Sequence, residues 1–382
     1  MTIPRQDHIA CSRCILTKAD SPHLTFDEDG VCNLCSGFDI AYAKVPRTWT
    51  DAEPELNRTV ERLKAAGKGK TYDCLIGLSG GVDSSYIAYL MKRYDLRPLA
   101  VHFDNGWNTE LAVENIDRIV TRLDIDLVTY VIDWDDFREL QLAYLRAGVI
   151  DIEVLTDHAI FGALYDIAMR NRIKHIISGV NVATEHVMPD GWNYEKYDAY
   201  NIMDIYRKHG GARKLSNYPL MDRRKWRKLM RSGIEQIQIL NMIPYNAAEA
   251  RETIERELGW RPYTGKHHES IFTRFYQGYL LPRKFGVDKR KAHLSNLVCS
   301  GQMTRDEALR EFQQEIYSPS EQREDLEFVC KKLQVSAEEF EGFMRAPPRR
   351  HLDFENHRWF FARYPVFKPL LPLWRLYKRR AA

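Results

Sequence analysis

The chain of 382 residues has no long apolar run, no low-complexity stretch and no internal repeat. Without about 20 consecutive apolar residues it offers no membrane-spanning helix. Its opening, MTIPRQDHIACSRC, lacks the apolar segment of a secretion signal, so a cytoplasmic location is expected. An excess of positive charge is also missing: 56 Lys and Arg face 53 Asp and Glu, a formal net charge of +3. That balance argues against a dedicated nucleic-acid binder, whose surface is usually clearly basic. The length suffices for two or three domains with a large core.

What the chain does have is concentrated in Tyr72 to Met91, YDCLIGLSGGVDSSYIAYLM. Cys74 to Leu78 is a short apolar run suited to a buried parallel strand, and Tyr86, Ile87, Tyr89, Leu90 and Met91 recur at helical spacing. Strand, glycine turn and helix in that order make an anion site. Gly80 and Gly81 let the backbone approach a phosphate, and the helix start presents unpaired N–H groups and its positive dipole end. Ser79, Ser84 and Ser85 add hydroxyls around Val82. Asp83 is the odd member, since a carboxylate beside a phosphate is repelled unless a cation lies between them or the carboxylate caps backbone N–H groups; both readings are open. No lysine follows the glycines, so this is not the GxxxxGK[ST] loop.

Four of the seven cysteines form a doubled pattern, Cys11-x-x-Cys14 and Cys32-x-x-Cys35, with a DEDG turn between. The spacing matches a zinc ribbon whose four thiolates close a structural site, with disulfides or an iron–sulfur cluster as the alternatives. After the glycine turn, strands expected at 99–103, 127–132 and 175–179 alternate with helices, which predicts a doubly wound parallel sheet. His102, Phe103 and Asp104 end the second strand, where open α/β sheets place ligands. Gly179 and Glu185 lie in the exit of the fourth, GVNVATE. Residues 237–241 read as a late strand, and the basic run 222–228 as a solvated helix face. From 260 to 296, Lys266, His267, His268, Glu269, Arg274, Lys284, Asp288, Lys289 and Arg290 stand among aromatics, a mixture suited to a polyanion or, more plainly, to a charged surface.

Ser79-Gly80-Gly81-Val82-Asp83-Ser84 resembles the pyrophosphatase loop of the PP-loop ATPases, which cleave ATP between its α- and β-phosphates. With the double CxxC, ISGVNVATE and HHESIFTRFYQGYLLPRKFGVDKRKAHLS, nearly the whole chain resembles the N-acetyl sugar amidotransferases of bacterial surface polysaccharide and nonulosonic acid pathways. The resemblance implies a zinc ribbon (1–45), a PP-loop ATP-binding domain (46–210) and a mainly helical substrate or partner region (211–382). It implies AMP transfer to the acetamido oxygen of a UDP- or CMP-linked sugar, then displacement by ammonia to leave an amidine. Ser79 to Ser85, His102, Phe103, Asp104 and Gly179 would hold ATP and pyrophosphate. Asp83 and Glu185 would stand near Mg²⁺, and Asp83, Ser79, Lys289 and Arg290 would serve the chemistry. Lys266, His267, His268, Glu269, Arg274, Lys284 and Asp288 would face the sugar. No segment reads as a glutaminase, so a separate glutaminase and an ammonia-conducting subunit are expected. A tRNA-thiolating PP-loop enzyme and a non-catalytic nucleotide-binding zinc-ribbon protein are the alternatives.

Overall fold

The structure is a computed structural model describing residues 9–263, 265, 268–315 and 317–357. Its centre is a five-stranded sheet of β1 (Cys74–Gly77), β2 (Pro98–Asp104), β3 (Leu127–Val131), β4 (His175–Ile177) and β5 (Glu235–Ile237), in the order β3-β2-β1-β4-β5 with every pairing parallel. The order reverses between β1 and β4. The carboxyl ends of these two strands therefore flank the crevice where doubly wound folds bind ligands.

Helices α1 (Asn33–Tyr42) and α2 (Trp49–Gly67) precede β1, and α3 (Val82–Arg93), α4 (Glu110–Leu123), α5 (Trp134–Ala147) and α6 (Val154–Arg170) fill the crossovers to β4. Alternate residues of the buried strands serve opposite faces. Cys74 and Ile76 join a core with Leu56 of α2, Leu90 of α3 and Ile119 of α4. Leu75, Leu99 and Val101 join Phe161 and Tyr165 of α6. The starts of these helices carry the local signals that set them: the side chains of Thr48, Thr109 and Asp133 each accept from a first-turn amide.

Beyond β4 come α7 (Val182–Glu185), α8 (Ala199–His209), α9 (Arg223–Ser232) and, after β5, α10 (Ala247–Leu258), whose Ile254 and Leu258 pack in the α3 and α4 core. The sheet unit therefore continues past residue 210, the limit expected for the ATP-binding domain. The late strand lies at 235–237 rather than 237–241, where Ile239–Met242 forms a 3₁₀ turn. Helices α11 (Ile271–Phe275), α12 (Lys289–Cys299), α13 (Arg305–Phe312), α14 (Pro319–Leu333) and α15 (Ala337–Arg345) make the C-terminal region, with a π-helix at Tyr276–Phe285. No helix among the described residues is long and apolar enough to cross a membrane.

One close approach fixes the layer over α6. A Cβ on Gly162 would lie 2.2 Å from the Pro219 carbonyl oxygen. Because that atom is backbone, Gly162→Ala must push the 219 segment off the helix. A loss of about 2–3 kcal/mol is expected, read as a lower urea midpoint at unchanged slope.

Candidate nucleotide site and four-cysteine centre

The glycine turn runs from the carboxyl end of β1 into α3. Gly80 adopts φ +83°, a conformation open to glycine, and Gly81 starts α3 without a side-chain cap. The serines tie the turn to itself: Ser79 Oγ accepts from Gly81 N–H at 3.2 Å and lies 3.1 Å from Ser84 Oγ, while Ser85 Oγ donates to Gly81 O at 2.7 Å. The uncapped helix start supplies amide donors and positive potential for an anion.

Asp83, in the first turn of α3, accepts a hydrogen bond from the Tyr245 hydroxyl. Tyr245 is 3% exposed, and burial, with Asp83 beside it, pushes its phenol up, so it stays a donor. A Cβ on Gly179 would lie 3.5 Å from Asp83 Cβ, which brings the β4 exit against the turn. Glu185 ends α7 on the same side, and its charge acts on Tyr245.

A second segment closes the turn from outside. Trp260 Nε1 donates to Gly80 O at 2.7 Å and Tyr263 OH donates to it at 3.1 Å. Asn115 of α4, fully buried, holds that segment by accepting from Arg261 N–H at 2.9 Å and donating to Arg261 O at 2.8 Å. The Glu269 carboxylate lies 3.4 Å from where a Gly81 Cβ would be. These aromatics carried no assigned role in the sequence. Only their nearness to Glu269 along the chain hinted at the site.

The second strand end is built as a bracket. His102 Nδ1 lies 3.1 Å from Leu78 O and Nε2 lies 3.1 Å from Asn108 Nδ2, so the ring ties β2 to the start of the glycine turn. Asp104 accepts from Gly106 N–H and Asn108, and Phe103 stacks on Tyr130 with ring centroids 5.5 Å apart. Asp104 lines a cleft of about 170 Å³ with Asn105, Gly106, Val131, Trp134 and Lys332.

Several expected substrate groups are engaged elsewhere. Arg274 makes a bidentate pair with Asp325 at 2.8 Å on both arms. Lys284 donates to the carbonyls of Phe343 and Ala346 at the end of α15. Asp288 caps α12 and pairs with Arg290, whose guanidinium also reaches Gln314 O. Long cationic side chains satisfy helix-end carbonyls as readily as phosphates, and their sequence spacing does not separate the two uses. Of the set, Glu269 borders the turn, while Lys289 lies over Tyr276, 5.3 Å from its ring centroid. His268 is described beside Gly265, and Lys266 and His267 lie outside the described residues.

The four cysteines meet as expected. Their sulfurs lie within 4.8 Å of one another, with separations of 3.9 Å for Cys11–Cys35, 3.8 Å for Cys14–Cys32 and 3.5 Å for Cys32–Cys35. Disulfides have sulfurs ~2.05 Å apart, whereas a tetrahedron with ~2.3 Å zinc–sulfur bonds has edges of ~3.8 Å. Backbone N–H groups of Cys14 and Cys32 point to Cys11 Sγ at 3.4 and 3.3 Å, which suits a thiolate. The donor set therefore fits a zinc-sized soft ion. A fifth thiol went unnoticed in the sequence, because Cys299 lies far along the chain; its sulfur is 3.4 Å from that of Cys35.

With this geometry in hand, residues 71–179 match the asparagine synthase family, and residues 269–367 match the family described as LPS biosynthesis protein WbpG-like, C-terminal domain. Each match covers less than half of the chain: the first spans the glycine turn and strands β1 to β4, and the second begins at Glu269 and takes in the C-terminal helices. An uncharacterized protein of Methanocaldococcus jannaschii is 28% identical over 130 residues, 34% of this chain and 45% of that protein, so this chain spans under half its length. Among solved structures, the NH3-dependent NAD synthetase from Campylobacter jejuni is 19% identical, covering 55% of this chain and 86% of its own, with a TM-score of 0.30. The NMN synthetase from Francisella tularensis is 13% identical, covering 59% and 93%, with a TM-score of 0.29.

Proposed function

We propose that the chain is an ATP-dependent, AMP-forming amidotransferase that converts an acetamido group of a nucleotide-activated N-acetyl sugar into an acetamidino group during lipopolysaccharide or related glycan synthesis. An amide carbon is a poor electrophile. Transfer of AMP to its oxygen gives an O-adenylyl imidate, and ammonia then forms the carbon–nitrogen bond as AMP departs with the electron pair of the carbon–oxygen bond. The observation that carries the reading is the shared cradle. Glu269, the first residue of the WbpG-like match, stands against Gly81 of the PP-loop, so the glycan-synthesis domain and the ATP loop border one space.

Within that space the first-turn amides of α3 and the hydroxyls of Ser79 and Ser84 receive the departing pyrophosphate. In this reading Asp83, oriented by Tyr245, and Glu185 would hold Mg²⁺. Bound there, Mg²⁺ would neutralise charge on the phosphates. Zinc at Cys11, Cys14, Cys32 and Cys35 is structural, since four thiolates leave no open position. Ammonia would come from a separate glutaminase through a conducting subunit.

The test is mass spectrometry of UDP- and CMP-linked diacetamido sugars incubated with the purified chain, ATP, Mg²⁺ and excess ammonium. The expected product is about one mass unit lighter, through exchange of O for NH, and forms with stoichiometric AMP and pyrophosphate. An unchanged sugar, with ATP cleavage appearing only when tRNA is added, would replace this reading with tRNA thiolation.

A further inference from the structure

The four-cysteine centre has a neighbour that a zinc ion does not need. Cys299, the last residue of α12, donates its thiol hydrogen to Cys35 Sγ at 3.4 Å. It stands nearer to Cys35 than do Cys32 at 3.5 Å and Cys11 at 3.9 Å, which share the tetrahedron with that residue. Four thiolates already close a zinc site, so a fifth sulfur adds nothing to coordination. Chain connectivity does not explain the contact either, since 264 positions separate the two residues. Packing at the end of α12 asks only for a small apolar group. A sulfur at this distance adds a second chemistry.

The pair is held together from both sides. Arg13, in the first cysteine knuckle, donates to the Cys299 carbonyl at 3.1 Å and to Asp39 at 2.6 Å, which clamps the end of α12 to α1, the helix that carries Cys35. One turn back, buried Asn296 accepts from Val187 N–H at 2.6 Å and donates to Val187 O at 3.0 Å, which anchors α12 against sliding. Disulfide sulfurs lie ~2.05 Å apart, so about 1.4 Å separates this contact from a bond. Cys299 keeps 6% exposure and Cys35 none, so a small oxidant meets Cys299 first.

We propose that Cys299 and Cys35 form an oxidation site that unloads the zinc centre: hydrogen peroxide converts the pair to a disulfide and so takes one ligand from the metal. The Cys299 sulfur attacks one peroxide oxygen, the O–O bond breaks, and the departing hydroxide takes the thiol proton, leaving water and a sulfenic acid at Cys299. The Cys35 thiolate then attacks that sulfur; the S–S bond forms, the S–O bond breaks and hydroxide leaves. Each sulfur has given up one electron, and peroxide has taken both. Pairing two cysteines of the tetrahedron would remove two ligands, whereas this pairing removes one. Cys11, Cys14 and Cys32 remain as a three-thiolate site with an open position, which holds zinc more weakly. A dithiol that reduces the disulfide restores the fourth ligand.

The test takes the zinc-loaded full chain, a chromogenic zinc chelator and hydrogen peroxide, with neither ATP nor sugar, so its outcome is separate from that of the amidotransferase reading. Peroxide is expected to speed zinc release about tenfold or more, as loss of one ligand weakens the site. Peptide mass spectrometry without reductant should find Cys35 joined to Cys299, the pair lighter by two hydrogen atoms. Cys299→Ser is expected to bind zinc as the unmodified chain does and to release it about tenfold more slowly under peroxide. Dithiothreitol followed by zinc should refill the oxidised chain. Disulfides confined to Cys11, Cys14, Cys32 and Cys35, equal release from Cys299→Ser, or a sulfinic acid at Cys299 with no disulfide would each overturn the proposal. Where Cys299→Ser fails to fold, the cross-link in the unmodified chain still decides.

Discussion

Asp83→Asn is expected to lower sugar-dependent pyrophosphate release by about 10²–10³-fold while leaving the urea midpoint of the chain unchanged. Asp83 sits in the first turn of α3, where the helix dipole favours its negative charge. Once a triphosphate arrives the same charge is repulsive, and a carboxylate there is useful only with a divalent cation between. Asparagine matches the volume, so the packing against Gly179 survives, and the Tyr245 hydroxyl can rotate to accept from the new amide. What the variant loses is the charge that holds the cation. Tyr245→Phe separates holding from orienting: it removes one hydrogen bond and keeps the carboxylate, so a loss of no more than about tenfold is expected. Pyrophosphate release by Asp83→Asn within threefold of the unmodified chain would reduce Asp83 to a favourable helix-start charge. A lowered urea midpoint would instead place it among groups that hold the fold.

The parts of this molecule that local rules govern were legible in the sequence. Short apolar runs at Cys74, Leu99 and Leu127 became strands because each is bounded by a turn and followed by a helical pattern, and Ser79 to Ser85 formed the expected turn because glycine and serine spacing is itself the geometry. Cys11, Cys14, Cys32 and Cys35 converged because the CxxC knuckle is local. Roles that depend on distant partners were not legible. Arg274 and Lys284 looked like phosphate ligands, yet Asp325 and the end of α15 claim them. Tyr245, Trp260 and Tyr263 carried no assigned role in the sequence; they pack on the core on one face while their polar ends hold Asp83 and Gly80. The late strand expected at 237–241 lies instead at 235–237, because a strand of three residues at the end of a sheet has too few positions to show a period.

Cys32→Ser is expected to reduce bound zinc well below one ion per chain and to cost about 2–4 kcal/mol of stability. Isolated zinc modules depend on the metal for all their structure, but this ribbon is docked on a large body, so local loosening is the expected outcome. The docking sets where the damage spreads. Arg305 donates to the carbonyls of Cys14 and Cys11, Arg13 donates to the Cys299 carbonyl, and Lys291 pairs with Asp20 at 2.8 Å. Cys299 and Lys291 belong to α12, which begins with Lys289 and whose Asn296 both accepts from and donates to the backbone of Val187, just beyond Glu185. Metal loss should therefore reach the nucleotide site through α12 and lower sugar-dependent pyrophosphate exchange as well as the thermal midpoint. Cys299 stands close enough to Cys35 to replace a missing ligand, so Cys32→Ser with Cys299→Ala should bind less zinc than Cys32→Ser alone. One zinc per chain in the double variant would mean that the ion is held elsewhere. Full exchange activity in a zinc-free chain would show that the ribbon serves stability and not the site.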